Sequence, residues 1–291
     1  IFLRFYKLLT GKGLGNHKSV MRIYEFVYSR IPKKNVVLKV PGEEFRHLQI
    51  KLVPENDPYA MTTQLFLQQG FSKESFETNF FCHSIKPGMT VIDVGANTGY
   101  YALIASAMVG EAGRVYAFEP EPESYKKLLK NIELNNFSNI IPVDKALTDR
   151  TGTIKLFLSK MSPIHSIAEP PECRGEIYVQ TVSLDEFLAE DPRVDIIKMD
   201  IEGSEILALR GMRRIIESNK SLKIFLEFLP RQFEAAGFTA DDYFDLLKGY
   251  GFKISLFDEY QKRLLPVEGI EFIRSFMREH SIIYVNMLCQ K

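Results

Sequence analysis

Neither sign of charge is in excess in this 291-residue sequence, where 37 Lys and Arg side chains stand against 37 Asp and Glu. That balance argues against a general nucleic-acid binder, which carries a basic surplus. Long hydrophobic runs are missing too, and none approaches the roughly 18 apolar residues that span a bilayer. Cysteine is scarce. Cys82, Cys173 and Cys289 are widely spaced and odd in number, so a disulfide framework is not expected and a reducing, cytoplasmic compartment is. No zinc-like spacing joins the cysteines or the five histidines, and no metal site is expected. A Walker lysine loop and a G-x-S-x-G elbow are also absent. Residues 2–9, interrupted by Arg4 and Lys7, do not read as a secretory signal; a chain that begins at Ile1 leaves room for sequence upstream. What is present is ordinary for a soluble globular protein: 45% hydrophobic and 25% charged residues, fractions that exclude a disordered or collagenous chain. The length suits one large domain or two small ones.

Residues 1–85 differ in pattern from residues 86–291. Val20, Ile23, Phe26, Val27 and Ile31 have helical spacing ended by Pro32, strands are expected at 35–40 and 49–53, and Pro54, Asn56, Asp57 and Pro58 mark a break. A helix follows over 72–85, with Ser72 or Ser75 as its N-cap and Pro87-Gly88 closing it. This segment is expected to be an N-terminal α+β extension or cap on the substrate side. From Thr90 short apolar runs alternate with helical stretches. Strands are expected at 91–94, 114–118, 140–143, 195–199, 223–228, 253–257 and 282–288, with helices at 101–108, 123–135, 204–217 and 243–250. Such alternation specifies an α/β domain with a mostly parallel sheet covered on both faces. Residues 154–158 and 177–182 predict an inserted β-hairpin with a connecting loop at 160–175. In open α/β sheets ligands sit beyond the carboxyl ends of the strands, which is where candidates are sought.

Asp93-Val94-Gly95-Ala96-Asn97-Thr98-Gly99-Tyr100 follows a strand and opens a helix. Gly95 and Gly99 let the backbone turn tightly and approach a ligand. The spacing is not the dinucleotide fingerprint G-x-G-x-x-G, because Asn97 replaces the second glycine and Tyr100 the third. A pyrophosphate therefore has less room. Asp93 places a carboxylate where a diphosphate would lie, and a carboxylate suits a cation such as an amino group or sulfonium. Glu119 ends the next strand, about 20 residues on, where an acceptor for two ribose hydroxyls is expected. Asp144 follows the third strand, where a base would lie, and reads equally as a solvated loop acid.

The turn DVGANTGYY, the strand VYAFEP, the segment VDKALTDRTGTIKLFL and above all IIKMDIEGSE resemble the FkbM-type S-adenosylmethionine-dependent methyltransferases. The turn alone is a general mark of class I methyltransferases; its combination with KMDIEGSE in this order is specific. The resemblance, across about residues 68–290, implies a Rossmann-like sheet of seven strands, the last inserted antiparallel, that binds S-adenosylmethionine. It places Asp93 and Gly95 by the methionine moiety, Ala96, Asn97, Gly99 and Tyr100 along the turn, and Glu119 on the ribose. Pro120, Asp144, Ala146 and Asp200 complete the expected cofactor contacts.

Asp200 and Glu202 stand two apart, so on an extended segment they point to one side. Such a pair could bind a metal, act as acid and base, or help cap the helix with Ser204 and Glu205. Capping accounts for Ser204 better than for Asp200 and Glu202, and the resemblance sets the segment at the active edge. Glu227 is an acid in an apolar strand and must be paired, with Arg231 for example, protonated or functional. His165 lies in the inserted loop, exposed or, if the hairpin folds over the cleft, a base at neutral pH. The expected function is S-adenosylmethionine-dependent O-methylation of a hydroxyl on a small molecule or glycan, with catalytic candidates Asp200, Glu202, Glu227 and His165. Alternatives are an N-methyltransferase, a non-catalytic nucleoside-binding module and an NAD-dependent oxidoreductase, the last disfavoured by Asn97 and Tyr100. No nucleic-acid partner and no membrane span are expected; the acceptor and the oligomeric state stay open.

Overall fold

The computed structural model describes residues 35–45, 47–55, 64, 74–159, 165–167, 173–190, 193–201 and 203–291. The helix expected at 20–31, Ser72 and Glu202 lie outside these residues. The chain divides into two units, Ile1–Ser72 and Lys73–Lys291, a division that falls ahead of the boundary expected at residue 85. In the first unit β1 (Val36–Leu38) pairs antiparallel with β2 (Ile50–Leu52). Val36, Leu38, Ile50 and Leu52 are buried while Lys51 is exposed, the alternation of strands with one covered face.

The second unit opens with α1 (Ser75–Ser84), β3 (Thr90–Val94), α2 (Tyr100–Val109), β4 (Arg114–Phe118), α3 (Pro122–Asn135) and β5 (Ile140–Val143). Next come β6 (Ala146–Leu147), β7 (Gly152–Ser159), β8 (His165–Ser166) and β9 (Cys173–Val182). The chain continues through α4 (Leu184–Phe187), β10 (Ile196–Met199), α5 (Glu205–Arg210), α6 (Arg213–Ser218) and β11 (Lys223–Phe228). It ends with α7 (Pro230–Ala235), α8 (Ala240–Gly249), β12 (Lys253–Asp258), β13 (Arg263–Pro266), α9 (Ile270–Glu279) and β14 (Val285–Gln290).

The main sheet has the order β13-β12-β14-β11-β10-β3-β4-β5. From β11 to β5 all neighbours are parallel, and β14 runs antiparallel between β11 and β12. The seven expected strands are present with the last inserted antiparallel, but the sheet has eight. The extra strand β13 hairpins back along β12 at the sheet's edge, and its four residues, Arg-Leu-Leu-Pro, carry no alternation that would announce a strand. The insertion is likewise larger than the hairpin expected. β7 and β9 do pair antiparallel, but β6 joins β9 and β8 joins β7 to make a four-stranded sheet. Two-residue strands are too short to show a period. The helix expected over 204–217 is two helices. Gly211 separates them, at a point where a Cβ would strike the carbonyl of Thr148. In α1 the N-cap is Glu74, without a side-chain cap bond, in place of the serines expected there.

Period-two alternation sends neighbouring strand residues to opposite faces. Ile92, Val94, Ile197, Met199, Ile224, Leu226 and Phe228 enter one core with Ile206, Leu209, Ile215, Tyr243 and Leu247 of α5, α6 and α8. The other face receives α1. Its Phe81 ring meets Phe225 edge-on at 5.2 Å, and Phe76 and Phe80 meet Phe257 at 5.7 and 5.6 Å. Helix α1 thus lies over the face that carries Asp93 and Lys198. Among the described residues no helix is long and apolar enough to cross a membrane.

Candidate active site

Left-handed backbone at Gly95, Asn97 and Gly99, with φ of 80°, 51° and 95°, winds the chain from β3 into α2. The amides of Gly95 and Ala96 both donate to the Phe118 carbonyl, at 3.0 and 2.9 Å, which ties the turn to the end of β4. Glu119 is the next residue, and it clasps the same turn. Its Oε2 accepts from the Asn97 amide at 2.7 Å and its Oε1 from the Glu121 amide at 2.8 Å. Burial pushes the Glu119 carboxyl up to about 7, against the pull of those two amides. An added Cβ at Gly95 would run into the Asp200 carbonyl, so only glycine lets β3 and β10 end side by side here. Tyr100 opens α2, its hydroxyl buried and without a hydrogen-bond partner among the described residues. Ala96 is buried and Pro120 half-buried; Asp144 is exposed just past β5, and Ala146 begins β6.

Beneath the turn lies a buried charge cluster. Asp93 stands opposite Lys198 in the β3–β10 register, so both side chains project to one face. They are 4% and 2% exposed. Lys198 Nζ pairs with Glu77 Oε1 of α1 at 3.3 Å and sits 5.1 Å above the Tyr101 ring. Asn286 Nδ2 of β14 donates to Glu77 Oε2. Asp93 Oδ2 is buried with no hydrogen-bond partner among the described residues. Burial raises the Asp93 carboxyl to about 7, against the attraction of Lys198. Glu77 is raised by burial to about 8, again with Lys198 pulling it back. For Lys198 burial opposes the charge, but Glu77, Asp200, Glu74 and Glu227 outweigh it and hold the amine protonated. Sequence reasoning missed Glu77, Lys198 and Asn286. Lys198, lodged in the strand Ile-Ile-Lys-Met, was open to the argument that singled out Glu227: a charge in a buried strand needs a partner.

Asp200 leaves β10 with its amide donating to the Val94 carbonyl at 3.0 Å, and its side chain is exposed. Capping by Ser204 does not occur: its side chain makes no cap bond. Glu205 does that work. Its buried carboxylate accepts from the Ile201 amide at 3.3 Å and the Gly203 amide at 3.0 Å. Gly203, at φ 96°, presses against α7, where a Cβ would come within 2.8 Å of the Gln232 carbonyl. Glu227 is half-buried opposite Asn286, one step along from the Leu226–Met199 pair that precedes Asp200. Asp93, Asp200 and Glu227 therefore gather at the carboxyl edge of the sheet. His165 does not share their sheet, since β8 pairs it with Leu158 of β7. Among the described residues no group of three or more His, Cys, Asp or Glu could hold a metal ion.

The strand order, the glycine turn and the acid closing the second strand define an S-adenosylmethionine-dependent methyltransferase fold of class I. The model of the Methyltransferase FkbM domain matches residues 93–254, more than half of the chain. The chain belongs to this family. A second model, protein-L-isoaspartate(D-aspartate) O-methyltransferase, matches residues 29–146. The hexuronic acid methyltransferase AglP of Haloferax volcanii is 31% identical over 133 residues, 43% of this chain and 51% of its own length. Methyltransferase 1 of Beauveria bassiana is 25% identical over 193 residues, 56% of this chain and 75% of its own. The chain thus spans about half the length of the first of these curated relatives. The solved FkbM methyltransferase of Methylobacillus flagellatus has 18% identity and a TM-score of 0.43, covering 81% of this chain and 55% of that one.

Proposed function

We propose that this protein methylates a hydroxyl oxygen of a small molecule or glycan, with S-adenosylmethionine as the donor. One observation carries the reading: the Gly95 turn is clasped by Glu119 and begins two residues past Asp93, whose buried Oδ2 has no hydrogen-bond partner among the described residues. These residues fit the cofactor. Asp93 supplies a buried acceptor for a positively charged amino group, Gly95 a backbone free of Cβ, and Glu119 a carboxylate for two ribose hydroxyls. Each Glu119 oxygen holds one amide and retains a lone pair for a further donor. Ala96, Asn97, Gly99, Tyr100 and Pro120 would border the nucleoside, with Asp144 and Ala146 on the adenine side. When bound, S-adenosylmethionine supplies an electrophilic methyl group.

The chain's own residues align the acceptor and take its proton. Asp200 and Glu227 stand at the edge where the acceptor would enter; Asp200 is exposed and free of a structural cap role. Glu202 and His165 remain further candidates for the base. An alcohol is weakly acidic, so an oxygen acceptor gives such a base a task. Oxygen is also the atom named for the isoaspartate methyltransferases, and the Haloferax relative is named for a sugar acid. A reducing, cytosolic compartment goes with this reading on the strength of the three scattered thiols.

The test is calorimetric titration with S-adenosylhomocysteine, followed by methyl transfer to a panel of hydroxylated acceptors. Glu119→Gln should weaken the nucleoside by about 1.5–3 kcal/mol, the range for a hydrogen bond to a charged group. Unchanged affinity in the folded variant would take Glu119 off the ribose.

A further inference from the structure

Outside the carboxylate edge, a groove of about 390 Å³ opens between α7, the start of α8 and the end of α9, a size that suits a small ligand. Three guanidinium groups, Arg231, Arg274 and Arg278, line it against one carboxylate, Glu234. Arg274 is already spoken for: it donates to Asp241 at 2.9 Å and to Glu271. The other two are not. Arg278 donates only to the Ser275 hydroxyl at 3.1 Å, and Arg231 has no ion-pair partner among the described residues. Met277 and the exposed Ile283 give the groove an apolar wall.

Topology sets this groove beside the reaction edge. Arg231 lies three residues past the end of β11, and Ile283 two residues before β14; Phe228 and Val285, the facing ends of those strands, are paired in register. Helix α7, which carries Arg231, also carries Gln232, whose carbonyl abuts Gly203 in the loop that follows Asp200.

We propose that Arg231 and Arg278 bind a carboxylate on the methyl acceptor, making an acidic sugar of the uronic type its substrate class. This rests on the methyltransferase reading and narrows it. A guanidinium offers a planar fork that matches a carboxylate through two parallel hydrogen bonds. Arg231 and Arg278 with Glu234 carry a net charge of one positive unit, which a singly charged carboxylate matches and a phosphate dianion exceeds. The apolar wall of Met277 and Ile283 suits the C–H face of a sugar ring.

The experiment titrates glucuronate, glucose and glucose 6-phosphate into the full chain at fixed ionic strength, with and without S-adenosylhomocysteine. Glucuronate should bind about tenfold or more tightly than glucose. Arg231→Gln and Arg278→Gln should each erase that preference while leaving the melting temperature and the S-adenosylhomocysteine affinity unchanged, since both side chains lie away from the glycine turn. Equal binding of glucuronate and glucose, or a preference that survives both substitutions, overturns the proposal. Tighter binding of glucose 6-phosphate overturns the carboxylate assignment. Failure of S-adenosylhomocysteine to bind at all overturns the methyltransferase reading instead, and the glucuronate titration still reads the groove.

Discussion

Asp93 is a buried carboxyl on which pH acts directly. Its carboxyl rises on burial from 3.8 to about 7, and that of Glu119 from 4.5 to about 7. A carboxyl raised in the folded state binds its proton more tightly folded than unfolded. Between about pH 4 and 7 the folded protein therefore holds more protons, and this contribution to stability falls as pH rises through that window and levels off above it. The melting temperature of the ligand-free protein should decline across the window, and Asp93→Asn should make the decline shallower. A slope untouched by that substitution would show that Asp93 ionises as freely in the fold as outside it. Lys198 is the counterexample at the same scale, because Glu77 meets its ammonium directly. Removing one member of a buried pair leaves the other uncompensated.

Among the elements, the step from β10 into α5 holds a structural acid, Glu205, and the proposed catalytic acid Asp200 within six residues. Glu205 holds the amides of Ile201 and Gly203, and a hydrogen bond to a charged group contributes about 1.5–3 kcal/mol. Glu205→Ala should lower stability by at least that much. Asp200 is exposed and outside these bonds, so Asp200→Asn should change stability by no more than about 0.5 kcal/mol. Its single-turnover rate with saturating cofactor should instead fall by about 10²–10⁴ if Asp200 acts in proton transfer. Chemical denaturation and rapid-quench measurements on both variants check the contrast. A stable, fully active Asp200→Asn protein would shift the base to Glu227, Glu202 or His165.

At the scale of the whole molecule, a ligand that binds only the folded state stabilises it by mass action. A nucleoside present at a hundred times its Kd adds about 2.7 kcal/mol, which is a rise of roughly 5–10 °C in a domain of this size. S-adenosylhomocysteine should produce such a rise and NAD should not. The reason is local: Asn97 and Tyr100 occupy two of the three positions where a pyrophosphate loop needs glycine. Thermal shift with each ligand decides it, and a rise with NAD alone would reverse the cofactor assignment.

Much of this protein is legible in its sequence. The strands at 91–94, 114–118, 140–143 and 223–228 and the turn from Asp93 to Tyr100 follow from short apolar runs and from glycine's access to positive φ, both properties of a few consecutive residues. Glu119 was readable because its distance from that turn is set by one helix and one strand. What the sequence could not carry were pairings across the fold. Glu77 and Asn286 are 209 residues apart, and they meet around Lys198 only because β14 inserts beside β11 while α1 crosses the same face. The two short strands of the second sheet and the arginine groove arise in the same way. Each depends on which strand lies next to which, and that order follows from packing the whole sheet rather than from any local period.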